Sequence, residues 1–472
     1  MFFKPQHIHF VGIGGIGMSG IAEVLLNLGY TISGSDLRSS VITKRLEALG
    51  AKVYEGHASG QIDGAKVVVI SSAVAKSNPE LQEARAKGIP VIPRGELLAE
   101  LMRLKFGIAV AGSHGKTTTT TMVACVLSQA QLDPTVVVGG RVSTFGGSNA
   151  RVGKSDFLVV ESDESDRSFL KLAPIVALVT NIDLEHLDHY SSIDDIRDAF
   201  VEFINKVPFY GVAVVCLDNP NVQQILPRLE RRIITYGVSA QAELRVTSWS
   251  FAGVTSRFAL EWRGKSLGEF QLRVPGFHNV LNATAAVATA LELEVDLEQI
   301  RQGIANFDGV DRRFQLKGQG RGVAVIDDYA HHPTEIRATL DALRGTDYKK
   351  IHVLFQPHRY SRTQQLMDDF AGAFNQANTV HVAPIYAASE QPIDGVTSVA
   401  LVDRMREFGH RGALSFADLQ GAADELLKVA EEGDVIVTMG AGNVSQMSDI
   451  LAERLTADDL VGSSELAGNA NS

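Results

Sequence analysis

Residues 106–122 read FGIAVAGSHGKTTTTTM, an apolar run, a glycine turn and a Lys-Thr pair in succession. The apolar run 107–111 predicts a buried strand. A glycine-flanked turn follows, then a helix opening near Thr117 with Met122, Val123, Val126 and Leu127 along one face. Strand, glycine turn, Lys-Thr and helix, in that order, make a phosphate loop. Glycines let consecutive backbone N–H groups turn toward an anion, and the helix N-terminus adds partial positive charge. Lys116 can then reach terminal phosphates, and the Thr117 hydroxyl can ligate Mg²⁺. The spacing departs from G-x-x-x-x-G-K-[ST] at one place. Val110 stands where the first glycine belongs, and Gly112 comes later, giving G-x-x-G-K-T-T. ATP binding is the expectation, set against an ordinary glycine-rich turn between strand and helix.

Upstream, residues 7–13 alternate as a strand, and Gly12, Gly14 and Gly17 spell G-x-G-x-x-G. Met18, Ile21, Val24, Leu25 and Leu28 line one face of a helix that Gly29 ends. The strand 30–33 leads to Ser35-Asp36, where a dinucleotide enzyme holds its ribose. Alone, this would argue for NAD. A second nucleotide loop in the same chain argues otherwise, because hydride transfer has no use for ATP. Residues 66–70 (KVVVI) predict another buried strand, ending in Ser71-Ser72-Ala73, at the edge where open α/β sheets bind ligands. Pro90, Pro93 and a helical run over 95–104 lead to a domain boundary near Lys105.

Beyond the phosphate loop, the strand 157–160 delivers Glu161-Ser162-Asp163-Glu164-Ser165-Asp166, and the strand 175–180 delivers Asn181, Asp183, Glu185, His186, Asp188 and His189. An acid leaving the strand after a phosphate loop is a natural Mg²⁺ partner, since Mg²⁺ takes hard oxygen ligands together with phosphate. Glu161 fits that role. For Asp163, Glu164 and Asp166 a solvated acidic turn competes. His186 and His189 read either as surface histidines or as a zinc pair, yet no Cys or His cluster completes a zinc site. Further on, β-type alternation over 243–274 precedes PGFHN and an Ala-rich helix over 280–293. There Asn279 reads first as an N-cap and Asn282 as a polar helix residue.

From near Arg313, apolar strands end in DDYAHHP (327–333), QPHRYSR (356–362), PIY (384–386) and GAGN (440–443). That is the pattern of a parallel sheet with its site along one edge. Arg359 and Arg362, three apart, suit a carboxylate or phosphate. The tail from Ala457, rich in Ser, Gly, Asn and Asp, predicts disorder.

The 472 residues suggest three domains. A net charge of -11 argues against non-specific nucleic-acid binding, which demands a basic face. Two distant cysteines, Cys125 and Cys216, suggest a reducing cytoplasm. The absence of an 18-residue apolar run argues against membrane insertion.

GIGGIGMSGIAEVL (12–25), SGSD (33–36), GSHGKTTTT (112–120), ESDESDRSFL (161–170), PGFHNVLNA (275–283), DRRFQ (311–315), DDYAHHPTE (327–335) and PHRYSRT (357–363), taken in order, resemble the Mur ligases. The resemblance implies an α/β protein of three domains: a Rossmann-like UDP-sugar domain (1–104), a phosphate-loop ATPase-like domain (105–312) and a Rossmann-like C-terminal domain with a parallel sheet (313–472) that binds an amino acid. It implies ligation of L-alanine to UDP-N-acetylmuramate at the cost of ATP, with two Mg²⁺ sites, and makes the NAD signature a false lead. Gly14, Gly15, Ile16, Gly17, Asp36, Ser71 and Ser72 would hold the UDP-sugar. Gly112, Ser113, His114, Gly115, Lys116, Thr117, Thr118, Asn279 and Asn282 would hold ATP. Thr117, Glu161 and His186 would be metal ligands. Lys116, Glu161, His186, Arg313 and Asp328 would be catalytic, and His331, His358, Arg359 and Arg362 would meet the amino acid. Ala330 and Ser162 replace the family's glycine and alanine, both small exchanges.

Overall fold

The computed structural model describes residues 6–71, 73–142, 148–185 and 189–469. Three sheets follow one another along the chain. The first joins β1 (His7–Val11), β2 (Thr31–Asp36), β3 (Lys52–Glu55), β4 (Val67–Ile70) and β5 (Val91–Pro93) in the order 3-2-1-4-5. All its pairings are parallel. The chain switches direction at β1, so the turn leaving β1 lies at the crevice where such sheets bind ligands.

The second sheet contains β6 (Phe106–Ala111), β7 (Thr135–Val142), β8 (Ser148–Arg151), β9 (Phe157–Glu161), β10 (Val176–Val179), β11 (Val212–Cys216), β12 (Ile233–Gly237), β13 (Leu244–Ala252), β14 (Thr255–Trp262) and β15 (Lys265–Leu272). Their order is 15-14-13-12-11-10-6-9-7-8. β6 is central and buried, flanked by β9 and β10 in parallel register, with Val110 beside Glu161 and Ala111 beside Val179. That register puts the exits of three strands side by side, because neighbouring strands lie only about 5 Å apart.

The third sheet orders β16 (Gln315–Gly320), β17 (Val323–Asp328), β21 (Val435–Met439), β18 (Ile351–Phe355), β19 (Thr379–Val382) and β20 (Ala413–Ser415). Only β16 is antiparallel. Asp328 and Phe355 are each level with Met439, so the exits of β17, β18 and β21 share one edge. The sequence predicts disorder from Ala457, but the helix Ser445–Asn469 continues over the described part of that tail. The helix is anchored where Gly320 of β16 lets the backbone of Leu455 and Thr456 come close, a place where no Cβ would fit.

By contact density the chain divides into two compact units. One comprises Met1–Ser248, Phe258–Gln271 and Leu281–Phe307, so the first sheet and most of the second share it. The other comprises Trp249–Arg257, Leu272–Val280 and Asp308–Ser472. Among the described residues, no helix is long and apolar enough to cross a membrane.

Candidate functional site

The phosphate loop folds as its sequence demands. Gly112 has φ 135° and Gly115 φ 80°, the left-handed region that favours glycine. A Cβ on Gly112 would collide with the Thr180 hydroxyl, and one on Gly115 would sit 2.6 Å from Asn282 Oδ1. Helix Lys116–Gln129 starts directly after the loop. The loop is held from the side by the exit of β10. Asn181 Oδ1 accepts from the His114 N–H (2.8 Å), Asn181 Nδ2 donates to the His114 carbonyl (3.0 Å), and the Thr180 hydroxyl donates to the same carbonyl (2.6 Å). The Asp183 N–H donates to Ser113 Oγ at 2.8 Å, and His114 Nε2 lies 3.2 Å from Asp183 Oδ2. These clamps fix the shape of the glycine turn, with its helix start left facing the loop.

Lys116 Nζ donates to the carbonyls of Gly112 (2.7 Å) and Ser113 (3.0 Å) and to Glu164 Oε1 (2.7 Å). Burial alone would lower its pKa. Glu164, Glu161 and Glu185 outweigh burial and keep the ammonium above its ordinary value. Glu164 is thus not the solvated acid of a surface turn; it is buried and paired with Lys116. Of the other two acids for which a solvated turn competes, Asp163 meets Arg94 at 3.0 Å and Asp166 Oδ1 accepts from the Ser168 N–H at 2.9 Å. Glu161 Oε2 accepts from the Gly139 N–H at 2.7 Å. The Thr117 hydroxyl and the Glu161 carboxylate are hard oxygens carried by the helix after β6 and by β9, β6's neighbour. That donor set suits Mg²⁺ beside a phosphate loop. His186 and Ser72 lie outside the described residues.

The N-terminal glycine turn is built in the same way. Gly12 has φ 81°, and Gly12 and Ile13 donate to the Ser35 carbonyl at 2.8 and 3.0 Å. Asp36 Oδ2 accepts from the Gly14 N–H at 2.8 Å, so this carboxylate shapes the turn itself. Gly15 caps helix Ile16–Asn27. The Arg94 side chain comes so close to Gly17 that a Cβ there would lie 3.0 Å from it, and the Ser71 hydroxyl faces Gly12.

Asn279 is not an N-cap. It lies within helix Phe277–Glu292, and its Nδ2 donates to the Pro275 carbonyl at 2.7 Å. Asn282 lies beside Gly115.

In the third sheet, Asp328 Oδ1 accepts from Ala330 N–H and Oδ2 from Phe314 N–H, both at 2.8 Å. Burial pushes its carboxyl up to about 6, against the pull of Arg313 and the two donors. Arg313 reaches Glu335 (3.4 Å) and lies over the Tyr329 ring. Glu335 also accepts from the His331 N–H. The His331 ring meets that of His358 edge-on, with centroids 6.1 Å apart, and His358 stacks on Tyr386 at 5.5 Å. Burial, together with His331, Arg362 and Arg359, lowers the His358 pKa to about 4, leaving a neutral ring. Arg362 Nη1 lies 3.4 Å from His358 Nδ1. One sheet edge therefore gathers two guanidinium groups, two imidazoles and an aromatic face. His332 caps helix Pro333–Arg344.

The sequence singles out the glycine loops, Lys116 and the arginine turn as candidates. It did not assign Thr180, Asn181, Glu164, Arg94, Glu335, Tyr386 or Glu390 to any site. The signal for Asn181 was its position at the exit of a strand adjoining the phosphate loop, which becomes visible only once β6 and β10 are paired.

Family models match the chain in three consecutive blocks: the Mur ligase family, catalytic domain, over 7–106; the Mur ligase middle domain over 110–290; and the Mur ligase, glutamate ligase domain over 312–442. The UDP-N-acetylmuramate–L-alanine ligase of Solibacter usitatus is 64% identical over 97% of both chains, and that of Koribacter versatilis is 58% identical over 97% of this chain and 99% of its own. The crystal structure of the UDP-N-acetylmuramate–alanine ligase from Thermotoga maritima matches with a TM-score of 0.79 at 31% identity, covering 95% of this chain and 99% of that one. A murein peptide ligase from Psychrobacter arcticus shares the fold, with a TM-score of 0.69 at 23% identity over 95% of this chain and 98% of that one. With the phosphate loop, the acid-bearing strand beside it and the arginine turn each in its matching block, the chain belongs to the Mur ligase family.

Proposed function

We propose that the protein carries out the ATP-dependent ligation of L-alanine to UDP-N-acetylmuramate, giving UDP-N-acetylmuramoyl-L-alanine, ADP and phosphate for peptidoglycan synthesis. The phosphate loop clamped by Thr180 and Asn181, in a chain 64% identical to a relative of that name, carries this reading. We assign residues 1–104 to the UDP-sugar, 105–312 to ATP and 313–472 to the amino acid, and place the reaction in the cytoplasm.

A carboxylate is a poor acyl donor because oxide would have to leave. The muramate carboxylate therefore attacks the γ-phosphate of ATP, breaking its bond to the β-bridging oxygen and forming an acyl phosphate with release of ADP. Lys116 leaves its loop carbonyls for the phosphates and offsets their charge, and the N–H groups at the helix start, Gly115 to Thr118, hold the β-phosphate within the Gly112–Thr118 turn. Mg²⁺, when bound, would neutralise phosphate charge; Thr117 and Glu161 would hold one ion, and His186 would hold a second. Asn279 and Asn282 bind the adenine side. Gly14, Gly15, Ile16, Gly17, Asp36, Ser71 and Ser72 bind the UDP-sugar. Arg359 and Arg362 grip the alanine carboxylate, a bidentate task suited to guanidinium. The neutral His358 ring, together with His331, lines the amine. That amine attacks the acyl carbon and expels phosphate, while Arg313 and Asp328 support the transfer.

The test is phosphate release from ATP and Mg²⁺, with and without UDP-N-acetylmuramate and L-alanine. Release that needs both is expected. Release with a tripeptide but not with alanine would move the chain to the peptide-adding branch, and no release with any acceptor would refute the reading.

A further inference from the structure

The loop after β19 places a residue of no assigned role against the arginine turn. Glu390 Oε2 accepts from the Ser361 N–H at 3.0 Å, and Oε1 accepts from the Ser361 hydroxyl at 2.6 Å. Both carboxylate oxygens thus close on one residue, between Arg359 and Arg362 in the chain. Arg359 itself has φ 72° and ψ 138°, a conformation that a non-glycine residue holds only when its surroundings impose it. The Tyr386 carbonyl imposes part of it by accepting from the Arg359 N–H at 2.8 Å, and the Pro357 carbonyl accepts in return from the Tyr386 N–H. The clamping loop is strained as well: Ala388 has φ 48° and Ser389 φ 72° just before Glu390. Two strained segments hold each other, with Tyr386 stacked on His358 at one end and Glu390 on Ser361 at the other. Strain gathered on both sides of one contact marks a geometry held for a purpose rather than a chance surface pair.

We propose that Glu390 is a positioning residue for the acceptor amino acid: by fixing Ser361 at the start of helix Tyr360–Gln365 it sets the directions of the Arg359 and Arg362 guanidinium groups. This rests on the reading that those arginines grip the carboxylate of L-alanine. Ser361 interactions and the nearby Arg359 charge hold the Glu390 carboxyl below its ordinary value although burial works against them, so the group that clamps is the ion. A carboxylate accepts both Ser361 bonds at once, whereas an amide keeps one acceptor oxygen and loses the charge.

The full-length protein carrying Glu390→Ala or Glu390→Gln tests this. Acyl phosphate formation, trapped with hydroxylamine in the absence of alanine, reports the first half-reaction separately from the second. The expected result is a rise in KM for L-alanine of about ten- to a hundredfold in Glu390→Ala, with KM for ATP and for UDP-N-acetylmuramate and the trapped acyl phosphate unchanged. Glu390→Gln should recover part of the loss. If all three KM values rise together, or kcat falls with KM for alanine unchanged, Glu390 is merely structural and the inference is overturned. Absence of trapped acyl phosphate in the unaltered protein would instead refute the ligase reading, which separates the two failures.

Discussion

Replacing Asn181 by alanine should weaken ATP binding without touching any group that contacts the nucleotide in the proposed site. The Asn181 side chain makes two hydrogen bonds, to the N–H and to the carbonyl of His114, at 2.8 and 3.0 Å. Each is worth about 0.5–1.5 kcal/mol net. The site is only part-buried, so water replaces some of what is lost, and the loop's preference for its phosphate-binding shape drops by about 1–2 kcal/mol. That corresponds to an increase of about 5- to 30-fold in KM for ATP. Asn181→Asp sharpens the test. It keeps the acceptor for the His114 N–H but replaces the donor with a second acceptor facing the His114 carbonyl, and it adds a negative charge beside the phosphate loop. Its KM should rise by about a further tenfold. The assay is the steady-state KM for ATP at saturating UDP-sugar and alanine, with a melting temperature recorded for each variant. A KM for Asn181→Ala within twofold of the unaltered protein, or Asn181→Asp binding ATP better than Asn181→Ala, would refute the view that the exit of β10 shapes the loop.

Lys116→Met should lower phosphate release by about 10²–10³-fold and cost about 1–3 kcal/mol of stability, because Glu164 is deprived of its buried ammonium; turnover and denaturant unfolding measure the two effects. Gly115→Ala places a Cβ 2.6 Å from Asn282 Oδ1 at φ 80° and should cut turnover more than tenfold at a strain of about 1–3 kcal/mol, and adding Asn282→Ala should not restore it, since the backbone strain and the lost asparagine remain. The raised pKa of Asp328, about 6, makes the protonated form the one that favours folding. Its contribution is fully present below pH 3.8 and is lost as pH rises through about 6. Asp328→Asn should therefore flatten the stability–pH curve between pH 4 and 6 relative to the unaltered protein, as measured by urea unfolding; parallel curves would show that Asp328 does not titrate there. His358, lowered to about 4, favours folding when neutral: its contribution is present above pH 6.5 and is lost as pH falls through about 4, a titration visible in the imidazole NMR signals.

The parts of the site that the sequence reveals are those whose backbone geometry demands particular residue types. Gly112 and Gly115 must adopt positive φ, and Lys116 and Thr117 follow at the start of a helix, so the phosphate loop can be read from the letters alone. Strands such as 351–355 and 435–439 are legible because a strand buried on both faces is a continuous apolar run. What stays hidden depends on pairing between distant segments. Glu164 looks like one acid among several until β9 lies beside β6 and brings it to Lys116. Asn181 needs the register of β10, and Tyr386 and Glu390 need the loop after β19 folded back on 357–361. The tail misled because composition says little about a helix whose first turns are anchored on β16. Asn279 misled because capping residues and buried amides that bond their own turn share the same letter.

Helix Ile16–Asn27 follows the first glycine turn, yet Gly20 on it approaches the second sheet so closely that a Cβ would lie 2.9 Å from Asn149 Nδ2 and 3.2 Å from the Ala150 Cβ. The first sheet and most of the second accordingly belong to one compact unit. Two regions that a reader of the letters would cut apart near Lys105 share a seam, and a fragment ending there would carry an uncovered strip of glycine and apolar side chain along that helix. Such a fragment is a poor candidate for expression on its own; excision for crystallography, labelling or inhibitor screening should take residues 1–307 together rather than follow the border suggested by the two glycine loops.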